Sequence, residues 1–118
     1  MACYGTKRIR ASGPNVVLTA KPAQALALII HELGTNAAKH GALSSPNGVV
    51  TINWELANEV VSLTWKESGG PSIETPSKVG FGSTLITSLL TPLEGSATMD
   101  FRPEGLVCQA SFSLKAGD

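Results

Sequence analysis

One stretch of the chain, Leu26 to Leu43, limits what the rest can fold into, because it reads as a long amphipathic helix. An apolar stripe recurs in it at helical spacing and consists of Leu26, Ile30, Leu33 and Ala37. A polar row follows the same spacing beside that stripe and consists of Glu32, Asn36, Lys39 and His40. We therefore predict a helix with one face in the core and a neighbouring face that carries chemical groups.

The polar row combines a carboxylate, a carboxamide, an ammonium and an imidazole. These groups offer a proton acceptor, an oxygen ligand for a hard cation and two donors for phosphate oxygens. Such a set suits a nucleoside triphosphate with magnesium. An ordinary amphipathic helix with a solvated polar side explains the same spacing, so the assignment depends on motifs elsewhere in the chain.

Composition favours one globular domain over residues 1–118. Of the 118 residues, 42% are hydrophobic and 15% charged, enough apolar material for a single core. Basic and acidic residues balance at nine each, which predicts no attraction to nucleic acid or to an anionic membrane. Cys3 and Cys108 read as two reduced thiols, and with no targeting segment recognised we expect a soluble, cytoplasmic domain.

The remaining patterns predict strands and helices that build an α+β fold. The predicted strands are Thr6–Ala11, Asn15–Thr19, Val49–Leu56, Glu59–Trp65, Ser96–Phe101 and Leu106–Leu114, and the helices run from Lys21 or Pro22 to Lys39 or His40 and from Phe81 or Gly82 to about Leu90. We expect the first two strands to form a hairpin. Gly34 costs a helix about 1 kcal/mol relative to alanine, which hints at a close neighbour. The order indicates a two-layer sandwich with a mixed, mostly antiparallel sheet and both helices on one face.

Two glycine-containing motifs flank a long polar segment between residues 67 and 82. In the first, Glu67 at a strand end could accept a hydrogen bond from the exocyclic amine of adenine, and Gly69 allows a flat ring to approach the backbone. A polar strand end followed by a turn is the alternative. In the second, Gly80 and Gly82 precede or open a helix whose free N–H groups would face an anion. Ser83 there reads either as a phosphate ligand or as a plain helix cap.

Taken together, these motifs resemble a known family. The segment His31–Leu43 looks like the N box of the HWE family of bacterial sensor histidine kinases, and Trp65–Glu67 looks like the W-x-E signature of its first glycine box. Gly80–Gly82 resembles the second glycine box, and Phe101–Leu106 resembles the closing hairpin. The resemblance covers nearly the whole chain. It implies the Bergerat ATP-binding fold, which agrees with the predicted α+β sandwich.

The resemblance implies a role for each residue of the polar row. Asn36 would hold Mg²⁺ against the phosphates of ATP, and Lys39 and His40 would contact phosphate oxygens. Glu32 stands where related ATPases keep a general base. His31 turns away from this row and reads as a structural or interface imidazole.

At the other end of the nucleotide, the resemblance places Glu67 where the family receives the adenine amine, with Gly69 near the base. The segment between the two glycine boxes is short, which implies a short lid over the nucleotide. No phospho-accepting histidine with its helical hairpin is recognised, so the chain resembles the catalytic domain of a longer kinase and would not autophosphorylate alone.

The function implied is transfer of the γ-phosphoryl group of ATP to a histidine on a separate dimerisation domain, with a response regulator downstream. Three alternatives stay open. A nucleotide-sensing module would bind without transfer. An anti-sigma-type serine kinase would phosphorylate a protein serine, against which W-x-E argues. An ATPase of the gyrase or MutL kind would use Glu32 on water, but it would need a longer lid.

Overall fold

The computed structural model describes residues 2–5, 8–71 and 80–115, and the side chains of residues 8–71 and 85–115. Its strands are β1 (Ala2–Gly5), β2 (Ile9–Gly13), β3 (Val49–Ala57), β4 (Val60–Ser68), β5 (Ser96–Arg102) and β6 (Gly105–Ser113), and its helices are α1 (Ala20–Lys39) and α2 (Gly80–Leu90). Short 3-10 turns follow the helices at Ala42–Ser44 and Thr91–Leu93. The part of the polar segment from 72 to 79 lies outside the described residues.

The strands form one six-stranded sheet in the order β1-β2-β3-β4-β6-β5. Within the described strands, β2 and β3 pair in parallel, and the other neighbours pair antiparallel. Parallel neighbours need a crossover, and α1 provides it between β2 and β3. Both helices contribute to the same buried cluster as one face of the sheet. The predicted α+β sandwich with a mixed sheet and helices on one face is therefore confirmed.

Helix α1 has the predicted extent, but its buried stripe lies one residue earlier in its first half. The buried residues after Pro22 are Ala25, Ile29, Leu33 and Ala37. Leu26 and Ile30, predicted for the core, are only half-buried. A spacing of four residues advances slightly more than one turn, so the contact line drifts around the helix and leaves these two residues at its edge.

Gly34 has no crowded neighbour, contrary to our expectation. Within the described part of the molecule, no heavy atom outside its own helix lies within 4 Å of the position that a Cβ would take. Packing in this part of the structure therefore does not explain this glycine.

An N-terminal hairpin exists, but it is not the predicted one: Thr6–Ala11 was expected to pair with Asn15–Thr19, whereas β2 pairs with β1, a strand that was not predicted. The segment Ser12-Gly13-Pro14 has the composition of a turn, but Ser12 and Gly13 belong to strand β2. Residues 14–19, which include the predicted strand Asn15–Thr19, are not in a strand, and Val17 is 90% exposed. Pro14 has no N–H to donate to a ladder, so a favourable side-chain pattern after it does not extend the sheet.

The hairpin between β3 and β4 carries the predicted alternation and runs three residues further than expected, to Ser68. Its turn residues Asn58 and Glu59 both have positive φ, 51° and 63°. Positive φ at both central residues is typical of the two-residue turns that match strand twist. The longer β4 brings Glu67 into the sheet.

Cys108 lies in β6 and is fully buried, and burial raises the pKa of its thiol from 9.0 to about 11. In a Cys3→Ser variant, we expect the folded protein to resist iodoacetamide at about pH 8 and to react after unfolding in urea, since the thiolate is the nucleophile.

Because the pKa of Cys108 is raised in the folded state, its contribution to the free energy of unfolding is fully present below the unfolded pKa and declines as pH rises toward about 11. Urea unfolding across that range, with Cys108→Ala as the control, measures the slope; equal slopes would contradict the assignment.

Candidate nucleotide site

Glu67 is the one charged residue that is buried among the described residues, at 4% exposure. Its Oε1 accepts a hydrogen bond of 2.9 Å from the backbone N–H of Ala42, and its Oε2 accepts one of 2.9 Å from the indole N–H of Trp65. Buried carboxylates are costly unless hydrogen-bonded, and both oxygens of this one have a donor. The carboxylate is therefore fixed in orientation.

The W-x-E spacing has a direct structural reason. Residues two apart on a strand lie on the same face of the sheet, so Trp65 and Glu67 both face the helices. Trp65 is 2% exposed, and its indole N–H donates a hydrogen bond to the carboxylate of Glu67. The tryptophan thus fills the core with its rings and satisfies Glu67 with its polar end.

The turn after α1 packs closely on Glu67. A Cβ on Gly41 would lie 2.1 Å from Oε1 of Glu67, so only glycine fits beside the carboxylate. The N–H of Gly41 donates to the carbonyls of Asn36 and Ala37 at 3.2 and 3.1 Å. Through residues 40–42, the C-terminal end of α1 and the end of β4 meet at one place. Asn36 and Glu67 therefore lie at the same end of the molecule.

The polar row of α1 is divided by exposure. Glu32 and Asn36 are half-buried, while Lys39 and His40 are exposed. His40 is the residue that ends the helix. His31 is exposed on a different side of the helix. The row thus offers two half-buried oxygen-bearing groups, followed by two exposed hydrogen-bond donors that an anionic ligand could reach from solvent.

Gly69 follows β4 with φ of +75°. The direction in which its Cβ would point is occupied by the carbonyl oxygen of Asn47, at 2.5 Å. Both the backbone angle and this contact favour glycine. The structure thus gives Gly69 a packing role against the turn after α1, in addition to the predicted position near a base.

Gly80, Gly82 and Ser83 all belong to the first turn of α2, which begins at Gly80. The helix therefore starts one or two residues earlier than predicted, and Gly82 lies inside it. Free N–H groups of a first helical turn can receive an anion. The side chains of residues 80–84 lie outside the described part.

A cation at this site would depend on more than the protein. Across the described residues, no group of three or more His, Cys, Asp or Glu side chains could hold a metal ion. Mg²⁺ commonly keeps its waters and binds one or two protein oxygens together with substrate phosphates. The carboxamide of Asn36 fits a magnesium ion that arrives with a nucleotide, and it does not fit a metal caged by the protein.

An apolar groove lies at the opposite end of the sheet from Glu67. It has a volume of about 560 Å³ and is lined by Leu26, Ile30, Trp54 and Phe112 among others. None of its lining residues carries a titratable side chain. The groove therefore offers no charged side chain to a phosphate.

Gly41 and Gly34 form a matched pair for testing this packing. We expect Gly41→Ala to lower the free energy of unfolding by about 1–3 kcal/mol, because the new methyl group must displace the Glu67 carboxylate. Gly34→Ala should raise it by about 0.5–1 kcal/mol through helix propensity. Urea unfolding of both variants measures the two changes. A neutral Gly41→Ala would mean that the carboxylate can move freely.

Sequence reasoning identified Glu67 but missed its two partners. Trp65 was recognised only as part of a motif, and Ala42 was not singled out at all. Ala42 acts through its backbone N–H, which carries no side-chain signal. Gly41 was interpreted only as the helix stop; a glycine directly after a helix that also faces another motif is the signal that could have indicated this contact.

Comparison with known proteins shows similarity to blue-light-activated histidine kinases. The chain is 41% identical over 105 residues to a blue-light-activated histidine kinase of Brucella anthropi, covering 85% of this chain and 21% of that protein. It is 40% identical over 111 residues to blue-light-activated histidine kinase 1 of Erythrobacter litoralis, covering 92% of this chain and 30% of that protein. It thus spans less than a third of their length. No family model matches the chain.

Solved structures show the same fold. The histidine kinase domain of a blue-light-activated histidine kinase from Erythrobacter litoralis superposes with a TM-score of 0.75 at 19% identity, covering 91% of this chain and 51% of that one. The catalytic domain of the histidine kinase ThkA, in a nucleotide-free form, gives 0.67 at 18% identity, covering 88% of this chain and 76% of that one. Among the described residues, no helix is long and apolar enough to cross a membrane.

Proposed function

Because the chain is a homologue of the blue-light-activated histidine kinases and has the fold of a histidine kinase catalytic domain, we propose that it binds Mg-ATP and donates the γ-phosphoryl group to a histidine. The acceptor would lie on a separate dimerisation domain of the same kinase, and a response-regulator aspartate would receive the group next. The observation that best supports this is the buried Glu67 carboxylate beside the end of α1. Residues 1–118 would then form one catalytic domain, acting in the cytoplasm.

Glu67 would accept the exocyclic amine of adenine. Each carboxylate oxygen has two lone-pair directions, and the hydrogen bonds from Ala42 and Trp65 use one on each oxygen. One acceptor direction on each oxygen therefore remains. Because the carboxylate is already held, little rotational freedom is lost when a base binds.

The polar row of α1 would bind the triphosphate. Lys39 and His40 would donate to phosphate oxygens, with backbone N–H groups of Gly80, Gly82 and Ser83 on the opposite side. Asn36 would hold Mg²⁺ through its carboxamide oxygen, and the ion would offset negative charge on the phosphates. Glu32 would orient or deprotonate the attacking imidazole.

In the transfer, a histidine nitrogen forms a bond to the γ-phosphorus as the bond to the β–γ bridging oxygen breaks, and ADP leaves with that electron pair. The transition state of phosphoryl transfer needs little covalent help from the protein. Positioning and charge stabilisation are therefore the main contributions that this domain would make.

Calorimetric titration with a non-hydrolysable ATP analogue tests binding. We expect heat of binding that depends on Mg²⁺. Labelled ATP with a histidine-bearing dimerisation domain added as a separate polypeptide then tests transfer, and the product should be acid-labile, as a phosphohistidine is. Absence of heat at millimolar analogue would overturn the proposal, and an acid-stable product would indicate a serine kinase instead.

A further inference from the structure

Arg8 lies directly before β2, and its guanidinium reaches across to the turn that follows α1. Nε donates to the carbonyl of Gly48 at 3.1 Å, and Nη2 donates to the carbonyls of Ala42, at 3.4 Å, and Ser45. One side chain thus donates hydrogen bonds to three carbonyls within a segment of seven residues, Ala42 to Gly48. The rigid, planar fork of a guanidinium suits this task, because it holds several donors at fixed spacing, whereas an ammonium is a compact group on a flexible stem.

The same segment holds the carboxylate of Glu67. Ala42 receives Arg8 at its carbonyl and donates its N–H to Oε1 of Glu67 at 2.9 Å. Arg8 is itself fixed to the sheet, because its carbonyl accepts the N–H of Val50 at 2.8 Å. Val50 lies opposite Glu67 on the neighbouring strand. A closed set of contacts therefore runs from the sheet through Arg8 and Ala42 back to Glu67.

We propose that Arg8 is a positioning residue for base recognition. It holds the turn so that the Ala42 N–H meets Glu67, and the second oxygen is held by Trp65. With both oxygens held, the remaining lone pairs have a fixed direction, which favours a base that presents an amine over one that presents a carbonyl. The base-selectivity part of this proposal rests on the proposed function; the structural part does not.

The structural part has a spectroscopic readout in the two tryptophan side chains. The indole N–H of Trp65 donates to Glu67, and that of Trp54 donates to the carbonyl of Pro14 at 2.7 Å. In ¹H–¹⁵N spectra, we expect Arg8→Met to move the Trp65 indole resonance by several linewidths and to leave that of Trp54 in place. Arg10→Met, on an exposed arginine two residues away, is the control and should move neither.

The functional part is read from nucleotide preference. Inosine triphosphate carries a carbonyl where ATP carries the amine, so the ratio of the two Kd values reports on Glu67 as an acceptor. We expect Arg8→Met to reduce the preference for ATP by roughly fivefold to tenfold, as the loss of one oriented hydrogen bond would. Partial unfolding alone would raise the Kd values of both nucleotides by the same factor and leave their ratio unchanged. Should Arg8→Met not fold, Arg8→Lys, which keeps the charge without the fork, carries the same comparisons.

The outcomes separate this proposal from the proposed function. An unmoved Trp65 resonance in a folded Arg8 variant would overturn the positioning role, whatever the domain binds. A moved resonance with an unchanged ATP preference would overturn the selectivity role. If the wild-type chain binds no nucleotide, the proposed function and the selectivity role fail together, and the tryptophan spectra still decide the positioning role.

Discussion

Asn36→Ala is expected to remove the magnesium dependence of nucleotide binding and to slow phosphoryl transfer by on the order of 10²- to 10³-fold. The half-buried carboxamide of Asn36 lies at the end of α1 that meets Glu67. Across the described residues, no acidic or histidine cluster could take over a cation. In the proposed site, removing this oxygen would leave the phosphates with Lys39 and His40 on this helix, both of which are exposed.

The matched control is Gln24→Ala, which removes an exposed carboxamide from the same helix. Gln24 precedes Asn36 by three turns and more, roughly 18 Å along the axis at 1.5 Å per residue. Calorimetry with and without Mg²⁺ and a transfer assay compare the two variants. Gln24→Ala should behave as the wild-type chain does.

The fold should survive the substitution. The backbone carbonyl of Asn36 accepts hydrogen bonds from the N–H groups of His40 and Gly41, and alanine keeps those bonds while improving helix propensity. We expect the free energy of unfolding without nucleotide to change by about 0.5 kcal/mol or less. A folded Asn36→Ala that still binds Mg-ATP with wild-type affinity would remove the argument for the polar row.

How far the sequence predicted the fold depended on how local each signal was. The alternation in β3 and β4 is determined within 20 residues and was predicted correctly, and the turn between them lies one residue later than predicted. The N-terminal strands were predicted wrongly because their positions depend on pairing with other strands. Strand β2 pairs in parallel with β3, which comes about 40 residues later in the chain. The pattern of Asn15–Thr19 resembles a strand, but the chain there leads into α1.

For the candidate site, the types of residue were predictable and their contacts were not. The spacing of Trp65 and Glu67 places them on one face of any strand. The contacts from Ala42 and Arg8 to this site are made through backbone groups and across 25 and 34 residues of sequence. Such pairs have no periodicity, so only the folded chain brings them together.

Glu67→Gln is expected to lower the free energy of unfolding by about 1–3 kcal/mol, although it changes one atom. Both oxygens of Glu67 accept hydrogen bonds from buried donors. A glutamine has one oxygen and one NH₂ group, so in either orientation its NH₂ faces an N–H group. Nucleotide affinity should fall as well, because an NH₂ donor replaces one of the two oxygens that could accept the adenine amine.

A double-mutant cycle with Trp65→Phe separates this donor conflict from a general loss of packing. Phenylalanine removes the indole N–H, so the glutamine oxygen can turn to the N–H of Ala42 and its NH₂ no longer meets a second donor. The double variant should therefore be more stable than the sum of the single changes predicts, by about 1 kcal/mol or more. Urea unfolding of the four proteins measures this coupling. Additive effects would mean that the indole and the carboxylate are neighbours without a shared hydrogen bond, and the physical reason given for W-x-E would then be wrong.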